Sequence, residues 1–343
     1  MPDKKMPDVG HLVINTLLLF SFLFNVQLAN AQKKPIVVST ASIFADMAKN
    51  IAGDAVEIRS IVPIGGDPHI YEPTPGDAQL VAGANLILRN GLTFEGWLNE
   101  LIANSGTAAK VVTVTDGIQA IESKQYKNST DPHAWMDASF GLIYIENIKN
   151  ALIALVPNEK QMFEFNYGVY RQQLQDMDAY IRQQIQTIPA QKRVLVTSHD
   201  AFRYYGQRYG VQVESVLGTS TDAEAQTSDI IRLNKVIQQS GVPSIFIETT
   251  VNPKLIQQLA TDNKINIGGK LYSDSIGDAK SAAPSYLDML KYNTDTIVKA
   301  LNKPSSNEPA PPKEGGSTSI IFVVICIAIL AGGFFLVFKR LNR

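Results

Sequence analysis

The histidines are the residues of this chain whose type and placement point most directly to chemistry. The sequence has four, of which His11 lies in an apolar N-terminal segment and the others are His69, His133 and His199. These three fall in or beside predicted loops and not on the apolar stripe of a helix. Taken alone, a histidine is more often a hydrogen-bonded structural residue than a ligand, so the interpretation depends on the whole set.

The tripeptide Asp-Pro-His occurs twice, at residues 67–69 and 131–133. Proline fixes φ and removes a backbone donor, so each imidazole is expected to project from a stiffened loop. The preceding aspartate can then hold a neighbouring amide or orient the ring. The repeat therefore predicts two similar turns that each present one imidazole.

The predicted order of strands places one carboxylate at the same edge of the sheet as an imidazole. His199 follows the apolar run "VLVTS", and Asp274 in "LYSDSIG" follows the last predicted strand. In open α/β sheets, ligands bind outside the carboxyl ends of the strands. Three imidazole nitrogens and one carboxylate oxygen form a tetrahedral donor set suited to a borderline divalent metal. We expect one ion in a cleft, held by His69 and His133 from one half and by His199 and Asp274 from the other.

Short apolar runs alternate with helical stretches between residues 35 and 301, the pattern of βαβ units with a mainly parallel sheet. Strands are predicted at residues 36–39, 56–61, 86–88, 111–114, from 194, and at 211–216, 244–247 and 265–267. Helices are predicted at residues 43–51, 97–102, 230–239 and 255–260. The sequence therefore predicts two (β/α) lobes, residues 32–157 and 189–301, each binding the metal.

One long helix is predicted between the lobes, at residues 158–188. Apolar residues recur there at three- and four-residue steps, and Gly168 is the one interruption, so a rod of about 40 Å fits. The predicted stripe is Met162, Phe165, Tyr170, Leu174, Met177, Tyr180, Ile181 and Ile185. An ordinary surface helix of one lobe is the alternative.

The two ends of the chain predict export and anchoring. Residues 1–31 have the charged, apolar and small-residue layout of a secretory signal peptide. Residues 320–338 are uncharged and about 28 Å long as a helix, enough to cross the cytoplasmic membrane, with a basic tail at 339–343. A flexible tether at 302–319 joins this helix to the globular part. Cys326, the single cysteine, lies within the predicted span, so none is left in the exported part for a disulfide or a lipid anchor.

Composition excludes one class of partner. The formal net charge is -1, with 18% charged residues, so no basic surface is predicted that would bind nucleic acid.

Six ordered segments carry a resemblance that covers nearly all of residues 35–301. They are "GGDPHIYEPTPGDAQLVAGANLILRNGLTFEGWL", "DPHAWMD", "TSHDAFRYYGQRYG", "STDAEAQTSDI", "FIETTVNPKLIQQLA" and "LYSDSIG". The chain resembles the metal-specific solute-binding proteins that serve ATP-binding-cassette importers of zinc and manganese. The resemblance implies two (β/α) lobes joined by one long helix, a cation bound between them, and an ABC permease with its ATPase subunit as partners. Carried over motif by motif, it implies His69, His133, His199 and Asp274 as the metal ligands.

The identity of the ion is less determined than its ligands. Manganese members of this family commonly have a glutamate at the position of His199, and three nitrogen ligands favour Zn²⁺ over Mn²⁺. Zinc members, however, often carry a histidine-rich loop, and residues 118–130 contain no histidine. Zinc is therefore expected, with manganese left open.

Two other classes of function compete with metal capture. In a zinc hydrolase, Glu248 would be the general base, but four protein ligands leave no position for catalytic water. We expect no enzyme activity and a hydrogen-bonding role for Glu248. A membrane-anchored adhesin or scaffold would fit the anchor and tether but leaves the four candidate ligands unexplained.

Overall fold

Eight short parallel strands, arranged in two sets, carry the loops that form the site. The computed structural model describes residues 33–122, 129–222 and 224–303. The first set is β1 (Ile36–Ser39), β2 (Glu57–Ser60), β3 (Leu86–Arg89) and β4 (Lys110–Thr113). The second set is β5 (Val194–Thr197), β6 (Gln212–Ser215), β7 (Ser244–Glu248) and β8 (Asn266–Leu271). All eight lie within a few residues of the strands predicted from the sequence.

The first set forms one parallel sheet in the order β2-β1-β3-β4. β1 is central and fully apolar in its middle, where Val37 and Val38 are buried. The second set forms two parallel pairs, β5 with β6 and β7 with β8, and β5 lies beside β7. This is the α/β fold with mainly parallel sheets that the alternating pattern predicts.

Nine α-helices connect these strands within the described residues. They are α1 (Ser42–Ala52), α2 (Pro75–Ala82), α3 (Leu98–Ser105), α4 (Ala138–Leu155), α5 (Lys160–Gln186), α6 (Arg203–Tyr209), α7 (Thr227–Ser240), α8 (Lys254–Asp262) and α9 (Tyr286–Leu301). The start of α2 follows from local chemistry. Thr74 and Asp77 form a reciprocal capping box, and Pro75 occupies the first turn, where its missing amide costs nothing.

The 27-residue helix α5 is the long helix predicted between the two halves. It packs against α1, α4, α6 and α9. Its buried residues are Phe163, Tyr170, Leu174, Ile181 and Ile185. The predicted stripe is wrong at Phe165, which is 71% exposed, while Phe163 takes the buried position. Phe165 lies two residues from Phe163, about 200° around a helix, so the two rings point to opposite sides.

The largest hydrophobic cluster draws on both sets of strands. It contains Val37 and Leu88 from the first set and Leu195, Phe246 and Leu271 from the second. α9 closes it, since Tyr286, Met289 and Ile297 are fully buried. The frame around the site is therefore one continuous packed core.

Four predicted segments lie outside the described residues: the signal peptide at 1–31, most of the tether at 302–319, the membrane span at 320–338 and the basic tail at 339–343. Among the helices of residues 33–303 that the structure describes, none is both long and apolar enough to cross a bilayer.

Candidate metal centre

Four side chains far apart in the sequence converge at one point. His69, His133, His199 and Asp274 each offer one ligand atom, and these atoms all lie within 4.8 Å of one another. The Nε2 atom of His133 is 3.2 Å from Nε2 of His69 and 3.3 Å from Nε2 of His199. Oδ1 of Asp274 lies 3.3 Å from Nε2 of His133 and 3.9 Å from Nε2 of His69. All four residues predicted from the sequence are thus brought together.

Each of these residues comes from the segment after a strand or before a helix. His69 lies in the loop that follows β2, and His133 immediately precedes a 3-10 turn, Ala134–Met136, that leads into α4. His199 follows β5, and Asp274 follows β8, at the carboxyl ends of parallel strands. The site therefore sits where a parallel α/β sheet ordinarily binds its ligand.

Carboxylates fix two of the three rings. Oδ1 of Asp131 lies 2.8 Å from Nδ1 of His133 and also accepts the His133 amide at 3.0 Å. Oε2 of Glu248 lies 2.7 Å from Nδ1 of His199, and Oε1 of Glu248 accepts the His199 amide at 2.8 Å. A carboxylate on Nδ1 directs the Nε2 lone pair of each ring toward the common point.

Hydroxyl groups orient the fourth group, Asp274. Its Oδ2 atom accepts hydrogen bonds from Thr250 at 3.0 Å and Ser273 at 3.1 Å. Its Oδ1 atom is buried and has no hydrogen-bond partner among the described residues, although it faces the histidine rings. A buried carboxylate oxygen left in this way is costly unless a cation completes it.

Burial and the mutual contacts set the charges of the site. Burial lowers the pKa of His69 to about 3, so this ring is neutral. Burial also lowers the pKa of His133, but the contacts with Asp131 and Asp274 outweigh it and raise the pKa to about 8. For His199, burial is outweighed by Glu248 and Asp274, which hold the pKa well above its ordinary value. Burial raises the pKa of Asp274, yet His199 and His133 bring it well below the usual range. The carboxylate is therefore charged and attracts protons or a cation.

Aromatic side chains from the first half of the chain line the metal centre beside His69 and His133 and exclude water there. Phe94 meets the His69 ring edge-on with centroids 5.0 Å apart, and Trp135 meets the His133 ring at 5.2 Å. Trp135 is fully buried and donates its indole N–H to the Ser273 carbonyl at 2.9 Å. The ligands thus lie in a dry environment, in which their interaction with a cation is strong.

The spacing suits one small divalent ion. A tetrahedron with metal–ligand bonds of 2.0–2.1 Å has edges of about 3.3 Å. The Nε2 atom of His133 lies 3.2 and 3.3 Å from the other two ring nitrogens and 3.3 Å from Oδ1 of Asp274, close to these edges, and all four ligand atoms lie within 4.8 Å of one another. Four protein ligands around one ion would close a tetrahedral coordination shell and leave no position for a catalytic water.

The residue types predicted that the four candidate ligands come together and that three carboxylates support them, but not the rest of the surroundings. The expected roles of the aspartates and of Glu248 match the observed contacts. Thr250, Ser273 and Trp135 were not anticipated. Ser273 and Trp135 are neighbours of Asp274 and His133 in the sequence, whereas Thr250 is 24 residues from Asp274 and carries no such signal.

Comparison with known proteins gives a consistent result. The family model described as "ZnuA: Zinc-uptake complex component A periplasmic" matches residues 37–300. The zinc-binding protein TroA of Treponema pallidum is 36% identical over 296 residues, covering 84% of this chain and 96% of the relative. The manganese ABC transporter substrate-binding lipoprotein PsaA of Streptococcus mitis is 35% identical over 308 residues, covering 88% of this chain and all of the relative.

Solved structures agree with the sequence relatives. The periplasmic zinc-binding protein TroA of Treponema pallidum superposes with a TM-score of 0.75 at 37% identity, covering 79% of this chain and 100% of that one. The Mn-bound periplasmic metal-binding protein of Candidatus Liberibacter asiaticus gives a TM-score of 0.72 at 32% identity, with 78% and 100% coverage. Because the family model spans more than half of the sequence and the fold agrees, this chain belongs to the ZnuA family of periplasmic components of zinc-uptake complexes.

Proposed function

We propose that this chain is the solute-binding component of a metal ABC importer, and that it captures Zn²⁺ at His69, His133, His199 and Asp274. The observation that carries the proposal is the convergence of these four ligand atoms within 4.8 Å at a buried point. The ion is the cargo of the protein, and no reaction is performed on it.

Capture is a replacement of water ligands by protein ligands. Asp131 and Glu248 hold the Nδ1 side of His133 and His199, so their Nε2 atoms face the ion without further rearrangement. The unpartnered Oδ1 of Asp274 supplies the fourth ligand and a negative charge. Protons compete with the ion for these groups, so binding weakens in acid.

Zinc is the preferred ion in this proposal, and manganese is the alternative. Three nitrogen ligands hold Zn²⁺ more tightly than Mn²⁺ by the Irving–Williams order. The relatives do not decide between the ions, since TroA is named for zinc and PsaA for manganese. Hydrolysis has less support, because Glu248 is in contact with His199 and is not free to activate water.

The remaining parts of the proposal concern organisation and location. Residues 32–157 and 189–301 are two lobes joined by the helix at 158–188, and residues 1–31 direct export. The lobes lie outside the cytoplasmic membrane, anchored by residues 320–338 and delivering the ion to a permease and its ATPase. If the anchor exists, the full chain stays with membranes after carbonate extraction and a chain ending at Lys303 does not.

Metal analysis of the purified full-length chain tests the site. We expect one zinc per chain, displaced by chelator, with manganese bound more weakly in competition. His133→Ala and His199→Ala remove a ligand from a closed shell, so each should lower zinc affinity by at least about 100-fold. Asp274→Asn should also weaken binding, whereas Asp278→Asn, an exposed aspartate four residues away, should not.

If both histidine variants keep stoichiometric zinc, the ligand assignment is wrong. Hydrolysis of a model ester that disappears on chelation would instead support the enzyme alternative.

A further inference from the structure

The inner side of the metal centre is fixed by buried contacts between the two strand sets. The Trp135 indole donates to Ser273, and the Tyr286 hydroxyl donates to the Trp135 carbonyl. The Tyr286 amide in turn donates to Asp46 at 2.9 Å. Trp135 and Tyr286 are both fully buried. An ion cannot pass this side without breaking the core, so entry and release must use another face.

The opposite side is formed by the loop that carries His69. Among the four candidate ligands, His69 alone is not fully buried, with a side chain 3% exposed against 0% for the others. Its loop neighbours Ile64 and Ile70 are 51% and 54% exposed. The His69 turn is therefore the outermost part of the ligand shell and the part nearest to solvent.

Asp67 ties this turn to the other strand set. Its Oδ1 atom accepts the His69 amide at 2.9 Å, and its Oδ2 atom accepts the Thr221 hydroxyl at 2.6 Å. Thr221 lies in the loop between β6 and α7. That loop is anchored beside His199, because Leu217 donates to Ser198 at 2.9 Å. The Asp67 carboxylate thus connects the His69 turn to the loop packed against the His199 segment, beside a second contact in which the Gly65 amide donates to Ser275 Oγ at 2.8 Å.

The two Asp-Pro-His tripeptides consequently differ in what they do. Asp131 is fully buried and uses one oxygen for both the amide and the ring of His133. Asp67 is only partly buried and directs its second oxygen across the cleft to Thr221. The first arrangement orients a ring, and the second ties the His69 turn to the second strand set.

We propose that the Thr221–Asp67 hydrogen bond is a latch that keeps the His69 turn closed over the ion and sets the rate at which the ion leaves. This inference rests on the proposed function, since it concerns release from the same site. Thr221 is a positioning residue, because it touches Asp67 and not the ion.

Release of zinc from the loaded full-length chain into excess chelator, followed by stopped flow, tests the latch. Thr221→Val should release zinc about tenfold faster, the effect of losing one hydrogen bond to a charged acceptor. Thr221→Ser keeps the hydroxyl and should release at the parental rate. Thr219→Val is the matched control, since the Thr219 hydroxyl makes no hydrogen bond that the structure records among the described residues and lies in the same loop.

Two further results separate a latch from a general loss of structure. All of these variants should still bind one zinc, and their metal-free unfolding temperatures should agree within about 2 °C. In an Asp67→Ala background, where release is already fast, adding Thr221→Val should change nothing, because the shared bond is absent. The latch is overturned if Thr221→Val releases zinc at the parental rate. It is also overturned if Thr219→Val or Thr221→Ser releases zinc as fast as Thr221→Val does. A parent chain that binds no zinc contradicts the proposed function itself.

Discussion

His133 and His199 reach the same geometry by different routes. Asp131 is two residues from its histidine and holds it through a local turn, whereas Glu248 comes from the end of β7 and meets His199 only in the folded chain. Both carboxylates contact a backbone amide as well as a ring nitrogen. The amide contact holds each carboxylate in place beside its ring, and rotation of the ring would separate Nδ1 from that carboxylate, so each Nε2 atom is held ready for the ion.

Replacement of Glu248 by glutamine tests this preorganisation at the residue scale. The amide keeps the shape of the side chain but removes the charge that stabilises a metal-bound imidazole. We expect Glu248→Gln to weaken zinc binding by about 10–100-fold while leaving one zinc site. Chelator competition measures the change, and Glu164→Gln on the exposed face of α5 is the control. Equal affinities for Glu248→Gln and the parent would show that the Nδ1 contact is dispensable.

The convergence of the four candidate ligands could be predicted from residue types, but the hydroxyls around them could not. The chain has four histidines, and the three outside the apolar N-terminal segment lie in or beside predicted loops. Few other residues therefore compete with them as candidate ligands. Thr250 and Thr221 are two among many hydroxyl residues, and their partners are 24 and 154 residues away. Nothing local distinguishes a threonine that reaches across a cleft from one that faces solvent.

At the scale of elements, periodicity identified α5 but placed its face incorrectly at one residue. The prediction that a helix exists rests on many residues. The prediction of its buried face rests on the angular positions of the apolar residues around the helix axis, and a single exposed phenylalanine changes that result. α4 was missed for the opposite reason. Its buried residues Gly141, Tyr144, Ile145 and Ile148 belong to a segment that is apolar on most sides, so no clear stripe marks it.

The glycines of these two neighbouring helices give a paired prediction. A Cβ at Gly168 in α5 meets nothing within 4 Å, so Gly168→Ala should stabilise the chain by about 0.5–1 kcal/mol. At Gly141 in α4, a Cβ lies 3.1 Å from the Tyr286 hydroxyl and 3.3 Å from Leu174. Gly141→Ala should therefore destabilise by about 1–3 kcal/mol through overpacking.

Urea unfolding of the metal-free chain measures both changes. The two variants are matched, since each replaces a helix-interior glycine by alanine. Stabilisation by both substitutions would mean that the α4–α5–α9 packing is looser than the contacts at Gly141 indicate.

At the scale of the whole molecule, the ligands and the core join the same parts of the chain. The donor set runs from residue 69 to residue 274, and the main hydrophobic cluster likewise takes residues from every strand set. Neither the core nor the site is complete in one half. Sequence patterns predicted two halves but not how deeply the strand sets share side chains, because contacts between distant segments leave no periodic signal.

Zinc should therefore stabilise residues 33–303 as one unit. At a free zinc concentration about 1,000-fold above the dissociation constant, binding adds about 4 kcal/mol, which for a domain of this size raises the unfolding temperature by roughly 10 °C. Calorimetry should show one transition that moves as a whole, and at the same zinc concentration a shift for His199→Ala of at most about a third of the parental one. An ion ligated from both halves raises the free energy of unfolding of each half. If calorimetry shows two transitions and zinc shifts only one of them, a single half holds the ion.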